Sequence, residues 1–342
     1  MATSVRHLLA LFFLFLVLTA CDSNPLDVDV SGVEIKLHTY RFDQEFFALD
    51  FQEPDTYQKL YQTYGDFAQD YTEYLLSYEP QSEGDRFALC QNFVQDAMMK
   101  RVYEAIQTVH NPRIDQYSAQ LEDGFAHLKY RLPELEVPEV VYFHSGFYAD
   151  TYVSPGTLAI GLDYYLGPDH PIVEGLPGDM APLYVRSKMR PDYVAVGAMG
   201  DFLADRYLAG FEGDRLLDNL IAQGKLMYLL DAAFPTLADA TKIRYTEQEM
   251  YWAQEAEANV WLELAHQEVM YNTNPVENGK WILDGPWTNA GQIPDTSPSR
   301  LGIYMGWQIV RAYMKDHPEL GVRDLLAEGN HQLILNSYVP PS

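Results

Sequence analysis

Nine histidines, two cysteines and 49 aspartates and glutamates supply the raw material for metal binding or acid–base catalysis, and spacing decides whether either is built. A helical zinc hydrolase site needs two imidazoles one turn apart with a glutamate beside the first, so that metal and general base share one water. No histidine here has another three, four or five residues away; His266 is followed by Gln267 and Glu268, and His170 by Pro171. A protein metal site is therefore not expected. The Gly-x-Ser-x-Gly elbow, the phosphate-binding loop, the dinucleotide fingerprint and the calcium loop are also absent from the sequence. Weaker constellations remain. Asp201 and Asp205 stand at i and i+4 on one helix face and would form an acid–base pair only if drawn into a cleft; a solvated face is the simpler reading. His144 beside Ser145, and His170 after Asp169, fall at turns with no orienting partner in sequence. Neither a catalytic residue nor a cofactor is expected.

The other chemically distinctive group lies near the amino terminus. Eleven apolar residues, Leu8 through Leu18, follow Arg6 and His7. That run has signal-peptide length and falls short of the roughly 20 residues that cross a bilayer. It ends in Leu18, Thr19, Ala20 and Cys21, small residues directly before a cysteine, an order that resembles the lipobox of bacterial lipoproteins. The resemblance implies cleavage before Cys21 and acylation of that residue by chains such as palmitate. Each buried methylene contributes about 0.8 kcal/mol, and stable anchoring takes at least two chains. Residues 1–20 are then a signal peptide, 21–32 a lipidated cysteine with a short linker, and 33–342 one globular domain. The alternative is an ordinary secretory signal that leaves Cys21 as a thiol. Cys90 stands in an apolar helical pattern and reads as a buried, inert thiol. No disulfide framework is expected.

Lys plus Arg number 23, and the net charge is −26, which repels a phosphate backbone and excludes nucleic acid as a partner. The same acidity argues against polybasic membrane attachment, so membrane contact falls to the anchor. With 47% hydrophobic residues the chain has ample core-forming surface, and global disorder is excluded. The fold class expected is α+β, mainly α-helical with a small antiparallel sheet. Val33, Ile35 and Leu37 alternate with polar residues as in a strand, while Phe42, Phe46, Phe47 and Leu49 begin helical spacing. Apolar residues from Leu60 to Leu75 recur as one amphipathic helix, with two more over 87–109 and 114–128 broken at Asn111 and Pro112. Short β-prone runs at 140–143, 147–153 and 158–162 are separated by Ser145-Gly146 and Pro155-Gly156.

Helices resume after Pro191, continue over 215–230, and restart where Thr246 and Glu249 form a capping box. Residues 272–299 lose periodicity and form a long loop holding Trp281 and Trp287. Helical order returns over 300–314 and 322–328. Gly302 and Gly306 make a small-residue stripe that signals close packing against a neighbouring helix rather than dimerisation in a membrane, since Arg311 and Asp316 lie nearby.

The segment Ser299 to Met314, with Gly302, Gly306, Trp307, Gln308, Ile309 and Val310 at its centre, resembles the gliding motility lipoprotein GldB family of Bacteroidetes. The likeness extends to Leu158, Ala159, Ile160, Gly161, Leu162, Asp163, to Lys225, Leu226, Met227, Tyr228, Leu229, Leu230, Asp231, and to the lipobox. It implies a lipid-anchored envelope component required for gliding, associated with type IX secretion, held in the inner or outer membrane with its domain facing the periplasm, and with no catalytic activity. The order of elements is also distantly similar to a predicted zinc peptidase family and would make this a degenerate zincin-like scaffold. That family's metal motif would fall where this chain reads Val194, Ala195, Val196, Gly197, Ala198, Met199, Gly200, Asp201, so both ligand positions are lost. A scaffold of that kind can still offer a sheet edge and a groove to an extended peptide. The candidate contacts with protein partners of the gliding machinery are Leu158, Ile160 and Leu162 on the expected edge and Trp281 and Trp287 in the loop. Two rival classes are an envelope hydrolase, which would bind stoichiometric zinc or show a titratable pair, and a glycan- or peptide-binding lipoprotein, which the tyrosines and loop tryptophans would serve.

Overall fold

The computed structural model describes residues 24–53, 56–76, 82–211 and 213–341; Cys21 and the apolar run lie outside them. Four strands form one sheet: β1 (Thr39–Arg41), β2 (Glu139–Phe143), β3 (Thr151–Ser154) and β4 (Thr157–Gly161), in the order β1-β2-β4-β3. The α+β class holds. The sheet is mixed rather than antiparallel, because β1 with β2 and β2 with β4 run parallel and only β3 with β4 is antiparallel. The β3–β4 hairpin turns at Pro155-Gly156, with Gly156 at φ 79°, the residue types that a turn with positive φ at its third position requires.

Two expectations about strands are corrected. The alternating segment Val33, Ile35, Leu37 is not a strand; pairing begins at Thr39. The stretch holding Leu158, Ile160 and Leu162 is not a free edge. β4 is paired on both sides, and all three side chains are fully buried. Its unbroken apolar run is that of a strand covered on both faces. Among the described residues the outer strands, with one edge unpaired, are β1 and β3.

Alternation along the strands divides the core in two. Val141, Phe143 and Ala159 face an aromatic cluster of Phe42, Phe46, Phe67 and Tyr71, whereas Val140, Tyr142, Leu158 and Ile160 face the larger core. The first cluster is built by α1 (Phe42–Phe47), α2 (Thr56–Tyr64), which stops at Gly65 with φ 52°, a π-helical turn (Tyr71–Leu75), and α3 (Glu83–Gln95). Cys90 of α3 is fully buried there, and burial pushes its thiol up to about 12. The periodicity over 87–109 is two helices, not one. Asp96 accepts from the N–H groups of Met98 and Met99 and starts α4 (Ala97–His110) afresh, an N-cap hidden inside a continuous apolar pattern.

The larger core packs α5 (Ile114–Arg131), α6 (Val194–Leu208), α7 (Leu216–Ala233), α8 (Asp239–Ile243), α9 (Glu247–Leu264), α10 (Pro275–Ile282) and α11 (Leu301–Asp316) against the other sheet face. Thr246 and Glu249 form the expected reciprocal cap. Helix α10 lies inside the expected loop; Asn274 caps it and Pro275 is its first residue, so a dipeptide that reads as a breaker is a helix start. The glycine stripe does bring helices together: a Cβ on Gly306 would stand 2.0 Å from the Leu220 carbonyl oxygen, and one on Gly224 2.1 Å from that of Gly306. Beside this contact Asp231 accepts from Lys242 (2.8 Å), Trp307 Nε1 (2.7 Å) and Arg311 (2.7 Å), and Arg311 is also paired with Asp239 (2.6 Å).

Candidate functional site

The first turns of α6 carry little side chain. Gly197, Gly200 and Ala204 share one helical face with Asp201, and that bare face floors a cleft of about 320 Å³, a volume that suits a small ligand or a residue or two of a peptide. Ile243 and Arg244 wall it from the end of α8, Asp284 and Arg300 from the segment around α10 and α11. A Cβ at Gly197 would sit 2.9 Å from the Tyr165 hydroxyl and 3.6 Å from Arg244 Nη1, so glycine there keeps the cleft open.

Two arginines with left-handed backbone face this cleft, Arg244 (φ 57°) and Arg300 (φ 61°). Non-glycine residues at positive φ are uncommon and cost of order 1 kcal/mol or more, and they cluster at functional sites. Arg300 donates from Nη2 to the Ile243 carbonyl at 2.5 Å and lies over the Tyr245 ring. Its Nε is 2.8 Å from Asp284 but makes no hydrogen bond with good geometry. Arg244 makes no side-chain hydrogen bond among the described residues; its nearest carboxylate is Asp150, at 3.9 Å. The Tyr165 hydroxyl and Thr151 Oγ1 are buried with no hydrogen bond of good geometry, and Thr151 faces both Tyr165 and Asp201. A buried polar atom left unbonded costs free energy until something bonds it, and of these three Arg300 Nε belongs to a residue that lines the cleft.

The electrostatics match. Burial pushes the Asp201 carboxyl up to about 6, with Arg244 pulling it down and Asp150 adding to the rise. Burial, then Arg300, brings Lys188 down to about 7 against the attraction of Asp284, with which it is ion-paired. Asp284, bridging Lys188 and Arg300, is held below the ordinary carboxylate range even though burial alone would raise it. A carboxyl raised in the folded state loses stability for the chain as pH rises from its unfolded value, about 4, through its folded value. Asp201→Asn is therefore expected to stabilise the chain by about 2 kcal/mol above pH 6, with no gain near pH 4. Thermal melting of both chains at pH 4.5 and 7.5 checks this; equal shifts at the two values would show that Asp201 is ionised as in water.

Most of the residues singled out in the sequence lie elsewhere. Asp205 is exposed, so it forms no pair with Asp201. His144, Ser145 and Asp163 do meet, but as a loop staple. Asp163 accepts from the N–H groups of Ser145 (3.2 Å) and Phe147 (2.5 Å), and His144 Nδ1 lies 3.3 Å away. Burial would raise the Asp163 carboxyl, yet His144 and these donors outweigh it and hold it low. The far imidazole nitrogen faces the Met99 carbonyl, and Ser145 Oγ donates to Ala149 O or Asp163 while accepting from the N–H groups of Tyr148 and Ala149. No serine–imidazole contact exists to activate a nucleophile. His170 caps the short helix Pro171–Glu174, and Asp169 is exposed. Trp281 is buried in the core and Trp287 half-buried. Among the described residues no group of three or more histidine, cysteine, aspartate or glutamate side chains could hold a metal ion.

The family model described as "Gliding motility protein GldB" matches residues 23–340, nearly the whole chain and every element above. The chain belongs to the GldB family. No match to a curated protein or to a solved structure was found, and nothing supports the distant likeness to a zinc peptidase family. The family is one of gliding motility lipoproteins, and among the described residues no helix is long and apolar enough to cross a membrane. Arg244, Arg300, Lys188 and Asp284 were not legible as site residues of a GldB chain. They sit at helix ends and in aperiodic segments, and only folding brings them beside α6.

Proposed function

We propose that this GldB-family chain is a non-enzymatic, lipid-anchored component of the gliding machinery, tethered through Cys21, that holds an extended segment of a partner protein. The segment lies across the α6 cleft and along the open edge of β3. The cleft supports this reading because Arg300 Nε lacks a hydrogen bond of good geometry and Arg244 has no carboxylate nearer than Asp150, at 3.9 Å, two donors that the carbonyls and acidic side chains of a peptide would complete. β3 pairs only with β4, so main-chain hydrogen bonds remain for strand addition, and Asp150 and Thr151 connect that edge to the cleft. The edge expected at Leu158 is thus replaced by β3. The observation that carries the proposal is Arg244, a guanidinium in strained backbone with its nearest acid at 3.9 Å.

Leu283 is exposed on the rim. A photoreactive residue there is expected to capture one envelope protein of the type IX secretion or gliding apparatus. Arg244→Ala should lower the yield about ten-fold, the weight of a charge-assisted hydrogen bond. Unchanged capture from the Arg244→Ala chain would refute the cleft as the contact.

A further inference from the structure

A second, larger cavity of about 790 Å³ shares Lys242 with the cleft and is walled by Asn24, Pro25 and Leu26 of the linker. We propose that this cavity receives the anionic headgroup of a phospholipid from the leaflet that holds the anchor. Its position comes first. Asn24 Nδ2 donates to the Pro235 carbonyl (2.8 Å), and Arg131 Nη2 to that of Leu26 (2.5 Å), so the linker is docked rather than a loose stalk. Three residue steps separate Cys21 from Asn24, a reach of about 11 Å at most. On the reading that Cys21 is acylated, the cavity mouth is confined to the depth of the headgroups.

Charge comes second. Arg131, Lys242, Arg311 and Lys315 line the cavity together with Asp231 and Asp239. The two acids are engaged by Lys242 and Arg311, which leaves Arg131 and Lys315 without a carboxylate. That is a net charge of +2 in a chain of −26, placed beside the anchor. Arg131 is half-buried with its guanidinium on two backbone carbonyls; Lys315 is exposed and has no partner among the described residues. Leu26, Leu237 and Met314 supply an apolar wall for the glycerol and first methylenes. Asp27 and Asp29 continue the linker outside the cavity and are exposed, so the cations that would meet an anionic headgroup here are those inside the cavity.

The test reads acylation of Lys315 by an amine reagent, by mass spectrometry, on the full chain extracted from envelopes. In vesicles of phosphatidylcholine with phosphatidylglycerol the reaction is expected to slow about five-fold relative to phosphatidylcholine alone, the weight of one lysine at an anionic surface. Soluble dihexanoyl-phosphatidylglycerol should protect saturably without vesicles, and Lys315→Glu, which breaks no contact, should weaken the protection that this lipid gives the Leu26 and Asp27 amides from hydrogen exchange. Equal protection in both vesicles, or the same protection from inorganic phosphate, overturns the headgroup site. A chain that floats with neither vesicle yet is protected by the soluble lipid refutes the anchor and leaves the cavity assignment standing.

Discussion

An Asp231→Asn chain is expected to melt roughly 6 °C below the wild type, about 4 kcal/mol spread over the unfolding entropy of a chain this long. Asp231 is nearly inaccessible, and its two oxygens take Lys242, both Nε and Nη2 of Arg311, and the indole N–H of Trp307. The amide keeps the volume and one acceptor but removes the nearer of two carboxylates that compensate a buried ammonium, leaving Lys242 with Asp239 at 3.6 Å. Breaking one partner of a buried pair is costly because the other is left uncompensated. Asp231→Asn combined with Lys242→Met should therefore recover part of the loss, since the ammonium left with only the more distant Asp239 is gone; Arg311 keeps Asp239. Melting of the two single variants and the double gives the coupling directly. Additive losses would mean that Lys242 and Asp231 are solvated independently.

Gly306→Ala is the second large effect, and its sign separates two arguments. On helix propensity alone, alanine in the middle of α11 would stabilise by about 1 kcal/mol. Packing says otherwise. The new Cβ would be 2.0 Å from the Leu220 carbonyl oxygen, a contact with backbone that no rotamer change relieves, so α7 and α11 must separate. Overpacking of this kind costs about 3 kcal/mol, and a net loss of about 2 kcal/mol is expected, with Gly224→Ala behaving alike because its Cβ meets the Gly306 carbonyl from the other side. By contrast Gly200→Ala meets only a Leu230 methyl at 3.8 Å and should be tolerated. Denaturant midpoints of the three chains distinguish the cases; a stabilised Gly306→Ala would mean that the two helices are not in backbone contact.

The parts of this fold that were legible in sequence are those dictated by short-range chemistry. Thr246 with Glu249, Pro155 with Gly156, and the Gly302–Gly306 spacing each name a local geometry that only a few residue types satisfy, and each forms. What was not legible depends on order in space. β3 follows β2 in the chain but sits outside β4, so the strand that reads as an edge from its flanking turns is enclosed. Asp96 starts a helix inside an apolar pattern that does not change period across it. The cleft is the clearest case. Arg244 and Arg300 are 56 positions apart, neither belongs to a motif, and the information that pairs them is the left-handed backbone of each beside the same bare helix face. Sequence spacing set Asp201 beside Asp205 on what reads as a solvated face, and only Asp205 is exposed.

If one residue fixes this acidic, peptide-holding body to a membrane, the mass of the amino-terminal peptide of the chain extracted from envelopes will show it: a peptide that begins at Cys21 and carries a diacylglyceryl thioether with an acylated amine. A peptide beginning elsewhere, or one in which Cys21 is an unmodified thiol, would contradict it.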